Sequence, residues 1–317
     1  MYFNSSVAVI SQLTKPPIIL YHSSVVTAAS FSRDGKFVAS SDSEGKLLIH
    51  TILEDKAALT KSIDFCFSGN VKCIAWSTDN KTVVVVGEGK NVFGRIINLE
   101  SGYAQGDISQ VSKNLLTAAV RSDKPLALCV AGEESSLKFY EGSPCLFIKS
   151  ENQHTNFTNQ IKYSPDGQYL VSVSSDKKIV LYDAKTTSLL RAKQNAHEAG
   201  IMGVDWIGSD KLVTCSNDKL IKIWSLEFEE LKVLKIRDNP TLDDFQVAVR
   251  SSGEDIYSVS LNGNINHFKQ PLTDNSSLPT DIYEGLSGQP VRLLVDSNNS
   301  TFYVIDSTGR VCNTLLM

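Results

Sequence analysis

A period of about 44 residues governs this 317-residue chain and constrains its fold more than any other feature. A β-rich run ending in an aromatic residue or valine is followed by a polar turn that usually carries aspartate. The clear copies are Phe31-Ser32-Arg33-Asp34-Gly35, Trp76-Ser77-Thr78-Asp79-Asn80, Val120-Arg121-Ser122-Asp123 and Tyr163-Ser164-Pro165-Asp166-Gly167. Weaker copies start at Trp206, Val249 and Val295, so successive anchors stand 45, 44, 43, 43, 43 and 46 residues apart. Inside each unit the apolar residues alternate or run continuously over short stretches, as in Gln168 to Ser174 and Leu220 to Trp224, bounded by Gly, Asn, Asp and Ser turns. Such runs predict strands. No unit carries a 3.6-residue apolar period of helical length, which excludes a helical solenoid. Four short strands per repeat of 40–45 residues predict a propeller blade.

Seven such units predict an all-β, seven-bladed propeller occupying residues 1–317 as a single domain. The last unit supplies three strands, around Val291 to Asp296, Thr301 to Ile305 and Arg310 to Leu315. An open edge invites aggregation, so the ring needs a fourth strand there. The extended segment at 6–13, Ser6 to Leu13, has no blade of its own and is expected to close the ring in that place.

Composition narrows the function. Lys+Arg 31 against Asp+Glu 35 gives a formal net charge of -4, so no global basic field exists to hold nucleic acid or an anionic membrane. The longest aliphatic run, Val83 to Val86, is far short of a membrane helix, and Met1 to Leu13 lacks the basic start of a signal peptide. A soluble, cytoplasmic chain is expected. Six cysteines (Cys66, Cys73, Cys129, Cys145, Cys215, Cys312) show no CxxC spacing, and they read as small hydrophobes rather than a disulfide framework.

The histidines sit at repeated phases of the unit. His22, His154 and His197 precede the first strand of units one, four and five, while His50 and His267 fall on the third strand, where Trp224 and Tyr182 stand in other units. In unit five the set His197, Thr214, Asp218 and Trp224 resembles the buried hydrogen-bond relay of WD repeats. His154, Ser172, Asp176 and Tyr182 form the analogous set in unit four, and His22, Ser40, Glu44 and His50 a degraded one in unit one. A His/Ser/Asp grouping can mimic a hydrolase triad, but recurrence at one phase argues for a structural relay. No catalytic residue, metal ligand or cofactor site is expected. Gly87 to Gly94 is glycine-rich, yet lacks the Gly-Lys-Ser/Thr ending and a following helix, and reads as a blade turn. Glu133-Glu134 and Asp243-Asp244 read as solvated turns.

Several stretches go beyond a generic WD repeat. Ser68 to Lys72 with Ile74-Ala75-Trp76, Val86-Gly87-Glu88-Gly89 with Phe93-Gly94, and Phe139-Tyr140-Glu141-Gly142 with Pro144 resemble the actin-interacting protein 1 family. So do Ser174 to Lys178 with Tyr182-Asp183, and Ser258 to Leu261 with Gly263, in register from about residue 20 to 268. The resemblance implies a monomeric, non-enzymatic WD-repeat protein of the cytoplasmic actin cytoskeleton, which binds actin filaments with cofilin and promotes their severing and disassembly. It implies partner contacts at Glu133, Phe147 and Phe157, with Glu88 and Phe93 from the matched Gly-Glu-Gly and Phe-Gly stretches. The chain departs from the family at Gly142-Ser143-Pro144-Cys145-Leu146-Phe147, where a basic residue is lost, and at Asn91 and Leu99-Glu100. The family carries two propellers in tandem, and this chain matches the first of them. The competing expectation is a WD-repeat scaffold in an unrelated multiprotein complex.

Overall fold

The computed structural model describes residues 22–52, 58–64, 66–269 and 277–283, and the backbone alone at 9–12, 18–19, 53, 56–57, 284, 290–296, 301–306 and 310–315. Its strands fall into seven sheets. Side chains are described for six of them, and the sheet built on Pro290–Asp296, Thr301–Asp306 and Arg310–Leu315 is described as backbone. Blade three shows the pattern: Leu115–Val120, Ala127–Gly132, Leu137–Glu141 and Leu146–Glu151 form one antiparallel meander in chain order. The architecture is an all-β propeller of WD-repeat type.

Burial decreases from the inner strands to the outer one and explains the composition of each. The second strand of blade two, Thr82–Gly89, carries the Val83 to Val86 run because neighbouring blades cover both its faces, and those four valines are fully buried. The outermost strands Ala104–Asp107 and Leu189–Lys193 are exposed almost throughout. Apolar clusters fill the gaps between successive blades, for instance Leu47, Val71, Val83 and Trp76 between blades one and two, and Val171, Ile201, Val204 and Trp206 between blades four and five. Trp76 donates its indole N–H to the Ser30 carbonyl of the previous blade at 3.0 Å, and Trp206 does the same to Lys162 at 3.3 Å. Two of the repeat anchors thus join blade to blade.

The recurring aspartate of the turn has a local cause. Ser32 donates to Asp34 at 2.7 Å and accepts the Phe37 amide at 2.9 Å. Ser77 and Ser164 repeat the arrangement with Asp79 and Asp166. The turn between the first two strands is therefore built by its own side chains.

The segment 6–13 does not lie where its sequence suggested. Val9–Gln12 pairs in parallel with Asp281–Glu284 and gives blade six a fifth strand. Ile18–Ile19 instead pairs antiparallel with Val311 and Arg310 of the last blade. The residues of 6–13 other than 9–12 lie outside the described ones. A second correction concerns Asp243-Asp244. A one-turn 3-10 helix spans Leu242–Asp244, and Asp244 is fully buried, accepting from the Thr241 amide at 2.7 Å and pairing with Arg237 at 2.9 Å. Only Asp243 is solvated.

Candidate protein-binding surface

The relays come first, because they set the loops that form one end of the molecule. In blade five Trp224 donates its indole N–H to Thr214 Oγ1 at 2.9 Å. Thr214 Oγ1 stands 2.8 Å from His197 Nε2, and His197 Nδ1 stands 2.8 Å from Asp218. An ionised carboxylate only accepts, so Nδ1 carries the imidazole N–H toward Asp218, and Nε2 of the neutral ring accepts the Thr214 hydroxyl proton while the same oxygen accepts from Trp224. Asp218 then accepts the amides of Glu198 and Leu220 at 3.0 Å each. One carboxylate thereby fixes both the loop before the first strand and the turn between the second and third. Burial opposes ionisation of Asp218 more strongly than any one partner favours it, but the His197 bond and charge together with the two backbone amides outweigh it and lower the pKa.

Blade four repeats part of this. His154 lies 2.7 Å from Ser172 and 3.1 Å from Asp176, which also accepts the Thr155 and Lys178 amides. Against the cost of burial, these donors hold the Asp176 carboxyl down at about 2. Tyr182 stands beside Ser172, yet its hydroxyl makes no hydrogen bond, so the fourth member is absent from the chain of bonds. Blade one differs further. His22 pairs with Ser40 at 2.8 Å and with Asp42, not Glu44, at 3.0 Å. Asp42 is fully buried and also accepts the Glu44 and Lys46 amides, whereas Glu44 is exposed and accepts from Ser24. His50 is buried with Nδ1 unpartnered, and burial and nearby His22 lower its pKa to about 4. His267 lies between Asp255 at 3.1 Å and Asp281 at 3.2 Å and stacks on Tyr257, an arrangement its position on the third strand did not disclose.

The residues expected at a partner surface divide into three settings. Glu133 and Phe157 come together at the relay end: the Glu133 amide donates to the Asn114 carbonyl, Ser175 donates to the Phe157 carbonyl, and Thr158 bonds across to Ser135 at 3.3 Å. Phe157 is 46% exposed. Glu133 and Glu134 do not form a carboxylate pair. Glu133 accepts from Asn114 at 3.1 Å, while Glu134, though burial opposes it, is held down at about 2 by Lys138 and the Ser112 donors. The expectation of a solvated acidic turn is corrected accordingly.

Phe147 is elsewhere. It lies on the outermost strand of blade three, paired with Tyr140 and in edge-to-face contact with that ring at 5.7 Å, one residue from the pair Glu141–Leu146 at the far end of the strand. The strand is six residues long, which separates Phe147 from the Glu133 turn by on the order of 10–15 Å. Leu146 and Ile148 flank it, both more than half exposed, and this apolar run was not singled out in the sequence. Its signal, three apolar residues in the last strand of a blade, depended on knowing which strands face outward.

Glu88 and Phe93 occupy a third setting. Gly87 and Gly89 flank Glu88 because the backbone passes too close for a side chain: a Cβ would meet the Asn70 carbonyl at 2.0 Å and the Val92 carbonyl at 1.7 Å. Glu88 pairs with Lys72 at 2.8 Å and accepts from Asn70. Phe93 is half-buried against Val84, Val86 and Ile96 between blades two and three. Packing accounts for its position. Among the described residues no disulfide forms, no group of three or more metal-ligating side chains converges, and no helix is long and apolar enough to cross a membrane. Cys66, Cys129 and Cys215 are buried, Cys73 and Cys145 partly so, and the Cys312 side chain lies outside the described residues.

Comparison with known proteins agrees with this geometry. The WD domain, G-beta repeat, matches residues 15–50, 145–183 and 189–225. These include the three units that hold a His–carboxylate pair before their first strand. Actin-interacting protein 1 of Drosophila melanogaster is 32% identical over 99% of this chain and 52% of its own length. WD repeat-containing protein 1 of Gallus gallus is 30% identical over 98% of the chain and 51% of its own length, and the Xenopus tropicalis protein of that name is 30% identical over 98% and 52%. The chain spans about half the length of these curated relatives. With its repeats, its relays and this similarity along nearly all of its length, the chain is a WD-repeat propeller similar to about half of actin-interacting protein 1 and of WD repeat-containing protein 1.

Proposed function

We propose that this chain is a non-catalytic, protein-binding propeller that engages actin filaments and cooperates with cofilin in their severing and disassembly. The observation that carries the reading is similarity along 99% of the chain to a protein named for interaction with actin. A closed ring of seven blades is part of the proposal, supported by the first strand of the last sheet, Pro290–Asp296, lying against the first strands of both blade six and blade one. On this reading the relay end of blades three and four, with Phe157 beside the Glu133 turn, is the contact face, and Phe147 with Leu146 and Ile148 is a second contact on the rim. Exposed aromatic side chains next to charged turns suit such a role, because a few aromatic anchors dominate an interface while charges orient it. The protein acts as a monomer in the cytoplasm, with no nucleic acid, membrane or cofactor involved.

Co-sedimentation with actin filaments, with and without cofilin, tests the proposal. The expected result is pelleting that increases when cofilin is bound, together with faster filament loss. Pelleting indifferent to cofilin, or none at all, removes it.

A further inference from the structure

Blade three lacks the device that sets the loops of blades four and five: residues 108–151 contain no histidine. In blades four and five one aspartate bonds a histidine and also accepts an amide from the loop before the first strand, Thr155 for Asp176 and Glu198 for Asp218. Lys178 and Lys222 then add a bond to a carbonyl of the same loop, at Gln153 and Ala196.

In blade three a lysine and a glutamate do all of this by charge. Glu134 Oε1 accepts the Ser112 amide, the Ser112 hydroxyl at 2.7 Å and the Lys113 amide at 3.1 Å. Lys138, on the third strand, pairs with the other oxygen of Glu134 and donates to the Gln110 carbonyl. The lysine is 12% exposed and the glutamate 16%, so solvent and salt screen this pair less than they screen a surface one. Residues 110–113 are thus held by one ion pair. The next residue, Asn114, accepts the Glu133 amide at 3.0 Å and donates its side-chain amide to the Glu133 carboxylate at 3.1 Å. Its carbonyl lies so near Gly132 that a Cβ there would meet it at 2.4 Å. At the other end of the turn the Ser135 carbonyl accepts from Thr158, the residue after Phe157, at 3.3 Å. A displacement of the 110–113 loop therefore passes to Glu133 directly and to the neighbourhood of Phe157 through one further bond.

We propose, resting on the actin-binding reading above, that the Lys138–Glu134 ion pair positions the Glu133 turn for its partner. Neither side chain of the pair needs to touch the filament. A contact group held by its own supporting bonds loses affinity when those bonds are removed, even if the group itself is intact.

Lys138→Met leaves Glu134 without its cation, Glu134→Gln keeps an acceptor for the two amides without the charge, and Lys138→Arg keeps the positive charge. The dissociation constant from cofilin-decorated filaments is measured by co-sedimentation of the full chain, alongside amide exchange and urea melts. Lys185→Met, in an exposed blade-four turn between the third and fourth strands, is the control and leaves binding unchanged. Lys138→Met and Glu134→Gln are expected to bind about fivefold or more weakly, with exchange at 110–114 and 133–135 faster by about tenfold and blade five unaltered. Lys138→Arg stays within about twofold of the unaltered chain, a rescue that a merely space-filling role for the lysine does not produce. Undiminished binding in both charge-removing variants, an equal loss in Lys138→Arg, or exchange raised alike in every blade overturns the proposal while leaving the actin reading in place. Absence of cofilin-dependent pelleting by the unaltered chain overturns the actin reading itself, and the positioning role with it.

Discussion

Thr214 carries two hydrogen bonds that nothing else in blade five can replace. Thr214→Val keeps the shape but strands the Trp224 indole N–H and His197 Nε2 in the interior. At about 1–3 kcal/mol for each of the two groups left unpaired, a loss of roughly 2–6 kcal/mol is expected in urea unfolding. His50 makes a pH-dependent contribution. Its pKa falls from the ordinary 6.5 to about 4 in the folded chain, so the unfolded chain takes up the proton first. Stability is then complete above pH 6.5 and declines as the pH drops toward 4. Asp176, held at about 2, adds its own loss only below the ordinary carboxylate value of 3.8, so the two windows separate. His50→Phe should flatten part of the decline between pH 6.5 and 4 and leave the residue of it to His22, whose pKa burial also lowers. An unchanged profile of unfolding free energy against pH would exclude His50 as its source. These relays were legible in sequence where the spacing was regular, as at His197, Thr214, Asp218 and Trp224. They were not legible in blade one, because two side chains of like charge, Asp42 and Glu44, compete there and only burial selects between them.

At the level of elements, the two N-terminal strands serve different blades. Removing residues 1–13 takes the fifth strand from blade six, and faster amide exchange is expected at Asp281–Glu284 while Arg310–Leu315 stays protected. Removing 1–21 should open the edge at Val311 and Arg310 as well. Loss of protection at Arg310–Leu315 in the shorter truncation would contradict the observed pairing and restore the 6–13 segment to the last blade. Strand boundaries and turns inside a blade follow from local chemistry, since Ser32–Asp34 and its repeats define their own geometry. The pairing of a detached strand does not, because two open sheet edges offer the same backbone donors and acceptors, and the choice rests on chain path.

For the whole molecule, surface and core residues of the matched stretches should behave oppositely. Phe157→Ala is expected to lower cofilin-dependent pelleting with actin several-fold with less than about 0.5 kcal/mol change in stability, as for an exposed side chain. Phe93→Ala should cost about 2 kcal/mol by opening the packing between blades two and three, and reduce pelleting only in proportion to unfolding. Pelleting assays paired with urea melts separate the two, and a stability loss at Phe157 would assign it to packing instead. The 44-residue period, the four-strand unit and the turn aspartates by themselves determined an all-β propeller, because each is a property of residues close in the chain. Which strand closes which sheet, which aspartate meets His22, and which phenylalanines face solvent were decided by tertiary structure alone. Those outcomes depend on residues brought together from different blades, and separation along the chain carries no record of proximity around the ring.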